Sequence, residues 1–168
     1  MLFEQESQSY RQALNKAMDY LSMRAYSSNE LYQKLCQKLE DKPAAAAAVA
    51  RCVELGMLDD EAFARQRAAQ LVARGKSPMQ IRAHLMEKGV ERSVAQQVLE
   101  ELQEEHDPVE SILGLIQRQY ARKLEQGKQQ AVIAALARRG FSLRDIRRAL
   151  ESWDMEQQEL DFSGWDEF

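Results

Sequence analysis

Arginine is the residue whose type and spacing point most clearly to a chemistry in this sequence. Five arginines flank one short turn, and three of them recur three and four positions apart on one helical face; the five are Arg138, Arg139, Arg144, Arg147 and Arg148. Between Ser111 and Leu150, nine basic residues face only two acidic ones. Guanidinium groups bind phosphates and carboxylates through paired hydrogen bonds. The cluster therefore predicts a surface for a phosphate backbone or an acidic protein; a solvated face of helix-end arginines is the alternative.

A second basic set lies earlier in the chain and is thinner. It comprises Arg74, Lys76, Arg82 and Lys88. We expect it to contribute to the same binding surface, although the sequence leaves open which side of the fold it occupies. Because cations that bind phosphates release counterions, four or five phosphate contacts by the arginine cluster predict a log–log salt slope of about −3 to −4.5.

The other titratable residues lack the arrangement of a catalytic or metal site. His84 and His106 are the two histidines, and neither has a cysteine or carboxylate in a ligand pattern. The aspartates at 59–60 stand at a helix start, where carboxylates cap free amides. Cys36 and Cys52 are sixteen residues apart without a CxxC pattern, so we expect reduced thiols on helix faces. The chain is predicted not to be an enzyme and to need neither cofactor nor metal.

The elements that must position these residues are helices. Hydrophobic residues make up 45% of the chain, and 3 prolines and 7 glycines are few for a β-rich protein, so the composition favours an all-α fold. Ser27 and Ser77 open capping boxes, and glycines follow the predicted helix ends. These signals predict nine helices, the first over 9–24 and the last from Ser142 to near Trp153.

The helix signals recur at a fixed period, which predicts internal repeats. Ser27 matches Ser77 at an offset of 50, and Gly89 matches Gly140 at an offset of 51. Capping serines and stop glycines are stronger evidence than leucines, because they fix the element boundaries. We therefore predict an elongated, curved, all-α body of three tandem three-helix repeats. The limits of the repeats are 9–58, 59–106 and 107–153, and an acidic flexible tail follows over 154–168.

Export and membrane insertion are not expected. No stretch approaches the roughly 20 apolar residues that span a bilayer, and the N-terminal residues are acidic where a secretory signal would be basic. A net charge of −4 argues mildly against a general nucleic-acid binder. We expect a cytoplasmic monomer without a membrane partner.

The C-terminal segment is acidic and aromatic, with seven acidic residues and no basic one from Glu151 onward. Residues 157–162 are similar to QxxLxF peptides that dock on the bacterial sliding clamp, which predicts a weak clamp contact. Residues 165–168 loosely resemble the acidic, phenylalanine-ended tail of single-stranded-DNA-binding protein. A third hypothesis is that the segment folds back on the arginine cluster and tempers its affinity for DNA. A disordered, solubilising tail is the remaining interpretation.

Five segments of the chain form a series with a defined order and defined distances. They are Leu21–Leu31, Gly56–Ala64, Gly75–Ile81, Lys88–Val90 and Arg138–Ser142. Together they resemble the RecX regulatory proteins, and the resemblance extends from about Leu14 to Trp153. The alanine-rich third helix and the acidic C-terminal segment depart from the family pattern.

This resemblance implies a bacterial modulator of the RecA recombinase that has no active site of its own. Members of the family are three-helix-repeat proteins that lodge along the groove of the RecA–DNA filament. There they restrain filament growth, ATP hydrolysis, strand exchange and co-protease activity. The implied partners are the RecA filament and single-stranded DNA, bound directly or through the filament.

Two other functions are compatible with the residues. Helices that flank Gly89 and Gly140 partly resemble the helix-turn-helix motif of sequence-specific DNA binders. However, Leu85 and Leu136 occupy positions at which that motif has a small residue. Footprinting on genomic DNA separates such a regulator from a filament modulator. The other function is a helical adaptor without nucleic acid, which the loss of single-stranded-DNA binding at all salt concentrations would favour.

Overall fold

The structure, a computed structural model, describes the backbone of residues 2–163 and the side chains of residues 8–161. In that part of the chain every regular element is helical. The first six helices are α1 Leu2–Met23, α2 Ser28–Lys38, α3 Lys42–Glu54, α4 Asp60–Ala73, α5 Pro78–Glu87 and α6 Arg92–Glu105. The last three are α7, formed by Pro108–Leu115, a π-helical turn Ile116–Tyr120 and Ala121–Glu125, then α8 Gln129–Arg138 and α9 Leu143–Ser163. The predicted all-α fold of tandem three-helix repeats is confirmed.

Capping residues set the helix starts where the sequence predicts them. The Ser27 hydroxyl accepts a hydrogen bond from the Glu30 amide at 3.1 Å, and the Glu30 carboxylate accepts one from the Ser27 amide at 3.3 Å. Ser77 and Gln80 form the same reciprocal pair at 3.2 and 3.1 Å. Such pairs satisfy amides that the first helical turn leaves free. Both predicted capping boxes are confirmed.

The helices pack into two compact units, each with its own core. The N-terminal unit comprises the chain up to Ala68 together with His84–Val98, and the C-terminal unit comprises Ala69–Ala83 and the chain from Leu99 onward. Because these limits fall within α4, α5 and α6, the three repeats are not the units of packing, and their limits stay a prediction. Fully buried side chains of the N-terminal core include Leu31, Leu35 and Cys52, and those of the C-terminal core include Ile112, Leu136 and Ile146.

Within the N-terminal unit, the start of α2 meets the end of α5. The buried Ser27 hydroxyl donates a 2.5 Å hydrogen bond to the carbonyl of Lys88, 61 residues later. The next residue, Gly89, has a left-handed φ of 81°, and a Cβ placed there would lie 2.3 Å from the Cβ of Asn29. Glycine is therefore required at this contact both for its backbone conformation and for space.

The C-terminal unit contains the same contact one repeat later. The buried Ser77 hydroxyl donates a 2.6 Å hydrogen bond to the carbonyl of Arg139, 62 residues later. A Cβ on Gly140 would lie 2.8 Å from the Ser77 hydroxyl oxygen. The capping serine and the stop glycine keep their offsets in the sequence because they meet each other between successive repeats.

The last helix differs from its predicted extent. α9 reaches Ser163, so residues 154–163 are helical, and the predictions of an end near Trp153 and of a flexible tail from 154 were wrong for these residues. The reason is helix propensity: this stretch holds no glycine or proline, and Met, Glu, Gln and Leu at 155–160 form helices readily. Residues 164–168 lie outside the described part of the chain.

Candidate functional site

The arginine cluster is held by the end of α8, a tight turn and the start of α9. Arg138 is the last residue of α8, and Gly140, with a φ of 101°, turns the chain toward α9. The Ser142 hydroxyl accepts a 3.1 Å hydrogen bond from the Asp145 amide and caps α9, as predicted. Arg139 is half-buried, and the exposed members of the cluster are Arg138, Arg144, Arg147 and Arg148.

Arg148 is ion-paired on both sides. Its Nη2 lies 2.6 Å from an Asp107 carboxylate oxygen, and its Nη1 lies 3.2 Å from the Asp145 carboxylate. The hydrogen bond from Arg148, with a further one from the Val109 amide, holds the pKa of Asp107 below its usual value. The expectation that the cluster lacks compensating acids was therefore wrong for Arg148, because Asp107 lies 41 residues away in sequence.

Arg139 is oriented by neutral partners. It donates from Nε to the Tyr120 hydroxyl at 3.2 Å and from Nη2 to the Gln119 side-chain carbonyl at 2.8 Å. Its guanidinium also lies 5.9 Å from the centre of the Tyr120 ring. Both partners stand on the π-helical turn of α7, which no feature of the sequence indicated. Because these partners carry no charge, they fix the direction of the Arg139 side chain without compensating its positive charge.

The other three arginines, Arg138, Arg144 and Arg147, form no ion pair with the side chains of residues 8–161. Their surroundings differ. Arg144 and Arg148 line an open groove of about 620 Å³, and the other charged groups of that groove are Glu104, Glu105, Asp107, Glu110 and Asp145. Acidic walls oppose the approach of a polyanion there. The surface best suited to phosphate therefore centres on Arg138 and Arg147.

The second basic set is divided between the two units. Arg74, Lys76 and Arg82 are exposed in the C-terminal unit, whereas Lys88 belongs to the N-terminal unit. The Lys88 ammonium lies 3.2 Å from the carboxylate of Glu30, whose side chain is only 14% exposed. Burial raises the pKa of Glu30, but hydrogen bonds from neighbouring cations and from the backbone outweigh burial and leave the pKa below its usual value. Lys88 thus stabilises the contact between α2 and α5.

Known proteins share both the sequence pattern and the fold. Sequence models of the first and second three-helix domains of RecX match residues 13–52 and 59–99. A regulatory protein RecX from Thermus thermophilus is 34% identical over 148 residues, which cover 88% of this chain and 94% of that protein. The chain belongs to the RecX family. The RecX regulatory protein of Staphylococcus saprophyticus is longer; it is 26% identical over 95% of this chain, and the match covers 60% of its length.

The RecX fold is also found among solved structures. The crystal structure of RecX from Lactobacillus salivarius matches with a TM-score of 0.80 over 89% of this chain and 99% of that one, at 21% identity. At this identity the likeness shows the fold alone. The predicted resemblance is confirmed, and the chain is a RecX-family regulatory protein.

In this RecX-family chain, the paired aspartates serve the backbone. Asp59 accepts a 3.1 Å hydrogen bond from the Ala62 amide, and Asp60 accepts a 2.7 Å hydrogen bond from the Ser28 amide. The predicted capping role is confirmed. Across the described residues, no group of three or more His, Cys, Asp or Glu is placed to hold a metal ion, and no helix is long and apolar enough to cross a bilayer.

One histidine and both cysteines have enclosed or partly enclosed side chains. His84 lies in the last turn of α5, and its Nε2 is shielded from solvent without a hydrogen-bond partner among the described residues. Burial, with the nearby positive charges of Arg67 and Lys88, lowers the pKa of His84. Cys36 is half-buried and Cys52 is buried, and burial raises the pKa of the Cys52 thiol.

The helical extension of α9 limits the hypotheses about the acidic segment. The acids up to Asp161 lie on this helix, whereas the acids at 166–167 lie outside the described residues. The fold-back of the acidic segment onto the arginine cluster therefore stays a prediction. The clamp-like stretch 157–162 lies within this helix. Binding to the clamp in an extended conformation would therefore require the end of α9 to unwind.

Proposed function

We propose that this chain binds RecA filaments on single-stranded DNA and restrains their ATP hydrolysis and strand exchange in bacterial DNA repair and the SOS response. One observation carries the proposal: in this RecX-family chain, three exposed arginines of the cluster around Gly140 lack an ion pair within the described residues, namely Arg138, Arg144 and Arg147. The partner comes from the family resemblance, and the chemistry of the contact comes from the arginines.

Three guanidinium groups can bind phosphates of the filament DNA or carboxylates of the recombinase. If all three bind phosphates of a single strand, the log–log salt slope is about −2. This slope is shallower than the sequence predicts, because two of the five arginines of the cluster are engaged within the protein: Arg148 pairs with Asp107 and Asp145, and Arg139 bonds to Tyr120 and Gln119. The contact should therefore be salt-sensitive but should not dominate the affinity for the filament.

The role requires no catalytic residue and no cofactor, because the filament supplies the ATPase. The relatives are named regulatory proteins, which agrees with a binding role. We place this action in the cytoplasm and expect a monomer to perform it.

A helix-turn-helix regulator has less support. The glycines that partly mimic that motif, Gly89 and Gly140, are each accounted for by close packing, against Asn29 and Ser77 respectively. Their repetition therefore needs no DNA-reading helix to explain it.

The proposal is tested by the DNA-dependent ATPase of RecA with stoichiometric amounts of this protein. We expect the wild-type chain to lower the rate and the triple variant R138E/R144E/R147E to lose most of that effect. A matched control is R11E/K16E/K42E, which makes the same charge change at exposed positions of the N-terminal unit. An unchanged ATPase rate with the wild-type chain contradicts the proposal. Equal losses in both triple variants would assign the effect to net charge instead of this surface.

A further inference from the structure

An open cleft of about 310 Å³ lies within the C-terminal unit, between the end of α4 and α7. Most of its lining residues are small: Ala69, Ala73, Gly75, Ser111 and Gly114. The charged side chains that line it are Glu110 and Arg118. No aromatic ring of the Phe, Tyr or Trp type is among the lining residues, so the cleft offers no platform on which a base would stack.

The guanidinium of Arg118 lies close to the two glycines of the cleft. Its Nη2 lies 3.5 Å from the position of a Cβ on Gly75, and its Nη1 lies 3.7 Å from the position of a Cβ on Gly114. Arg118 is exposed, and it forms no hydrogen bond or ion pair with the described residues, although Glu110 lines the same cleft. The guanidinium is therefore available to a ligand that enters the cleft.

The backbone that carries Arg118 is the π-helical turn Ile116–Tyr120. Such turns are rare, and they are frequent at functional sites. Here the turn presents Tyr120 to Arg139, while Arg118 faces Gly75 across the cleft. Two arginines of the C-terminal unit thus depend on this irregular turn for their surroundings.

Two further cations adjoin a lining residue of the cleft in the chain. Gly75 has a left-handed φ of 76°, and the Lys76 amide donates a 3.0 Å hydrogen bond to the Leu71 carbonyl, which ends α4 tightly. Arg74 and Lys76 are the direct neighbours of Gly75, and both are exposed. Gly75 and Arg118, 43 positions apart, line the same cleft, so the chain neighbours of Gly75 are two predicted binding residues at its edge.

We propose that this cleft binds a phosphate of single-stranded DNA, with Arg118 as the binding guanidinium and Arg74 and Lys76 as flanking cations. A guanidinium can donate two parallel hydrogen bonds to a phosphate, and the small walls admit the group close to the protein surface. The site rests on the proposed function and extends it to residues outside the arginine cluster. The negative charge of Glu110 in the same cleft weakens the binding of a phosphate, so removing that charge should strengthen it.

The test measures the fluorescence anisotropy of a labelled oligothymidylate with the full chain and without RecA. We expect R118Q to weaken binding about tenfold, as for the loss of one charge-assisted hydrogen bond, and to lower the salt slope by about 0.7. The matched control is K128Q, which removes the same charge from an exposed residue that does not line the cleft. We expect K128Q to change the affinity less than about twofold and E110Q to tighten binding.

A second variant keeps Arg118 and blocks its site. G114E places a carboxylate four positions before Arg118 on the same helix, where the two side chains can pair. Glutamate is a better helix former than glycine, so circular dichroism should show intact helicity. We expect G114E to lose as much affinity as R118Q, and we expect the double variant to lose little more than either single one.

Three results would overturn the inference. They are an unchanged affinity of R118Q, an equal loss in R118Q and K128Q, or Arg118-dependent binding of a labelled polyglutamate peptide without any binding of the oligonucleotide. If R118Q binds DNA normally while the chain still restrains RecA, this inference is wrong and the proposed function stands. If DNA binding depends on Arg118 while RecA is unaffected, the proposed function is wrong and the cleft stands as a DNA contact.

Discussion

Replacing Gly89 with alanine should destabilise the N-terminal unit much more than the same substitution at Gly56. Both glycines belong to this unit, and their φ angles are alike, 81° and 72°. A left-handed alanine costs about 1–2 kcal/mol in either place. The two sites differ in space, because a Cβ at Gly56 has no neighbour within 4 Å, whereas a Cβ at Gly89 would lie 2.3 Å from the Cβ of Asn29.

The additional cost at Gly89 follows from that overlap. Relieving this overlap requires the start of α2 and the end of α5 to separate, which typically costs about 1–3 kcal/mol in a packed site. The separation also strains the hydrogen bond from Ser27 to the Lys88 carbonyl, which is worth about 1 kcal/mol. We therefore expect a loss of about 1–2 kcal/mol for G56A and about 3–5 kcal/mol for G89A.

The assay is urea unfolding followed by circular dichroism at 222 nm, with both variants compared to the wild-type chain. Equal losses of unfolding free energy in G56A and G89A would refute the packing explanation of the repeated glycine. The C-terminal unit provides an independent pair, because a Cβ on Gly127 would have no neighbour within 4 Å, whereas a Cβ on Gly140 would contact the Ser77 hydroxyl oxygen and Met79. G140A should likewise lose more stability than G127A.

Three further predictions follow from single contacts. S27A should lose about 2 kcal/mol in urea unfolding, because it removes both a cap and the bond to Lys88, whereas S142A should lose about 1 kcal/mol for its cap alone; similar losses would contradict the contact between α2 and α5. Because the folded-state pKa of His84 lies below its usual 6.5, the unfolded chain binds the proton more readily, so stability should fall as pH drops below about 6.5. H84Q should weaken this dependence of the unfolding free energy on pH, and an unchanged dependence would show that His84 does not cause it. D107N keeps a capping side chain but removes one of the two ion pairs of Arg148, leaving the one with Asp145, so it should tighten binding of labelled single-stranded DNA. Weaker binding would contradict this assignment.

Local chemistry accounts for most of what could be predicted from the sequence. Capping serines, first-turn prolines and stop glycines act within four residues, so they indicated the helix boundaries directly. The same residues recur at fixed offsets, which indicated the repeats. The reason for the recurrence could not be predicted, because Ser27 and Lys88 meet across 61 residues.

The candidate site could be predicted only in part. The arginines around Gly140 are near neighbours in sequence, so their proximity was evident. Their partners were not, because Asp107 reaches Arg148 from 41 residues away, and the π-helical turn that carries Gln119 and Tyr120 has no sequence signal. The extension of α9 was missed for a different reason: apolar periodicity ends before Ser163, while helix propensity does not.

The most direct test of the proposed role is co-sedimentation of this chain with RecA assembled on single-stranded DNA. We predict that the wild-type chain enters the pellet with the filament, that R138E/R144E/R147E enters it much less, and that R11E/K16E/K42E behaves like the wild-type chain. Circular dichroism should show equal helicity for the three proteins. A wild-type chain that stays in the supernatant would contradict binding to the filament. Full co-sedimentation of R138E/R144E/R147E would remove these arginines from the contact.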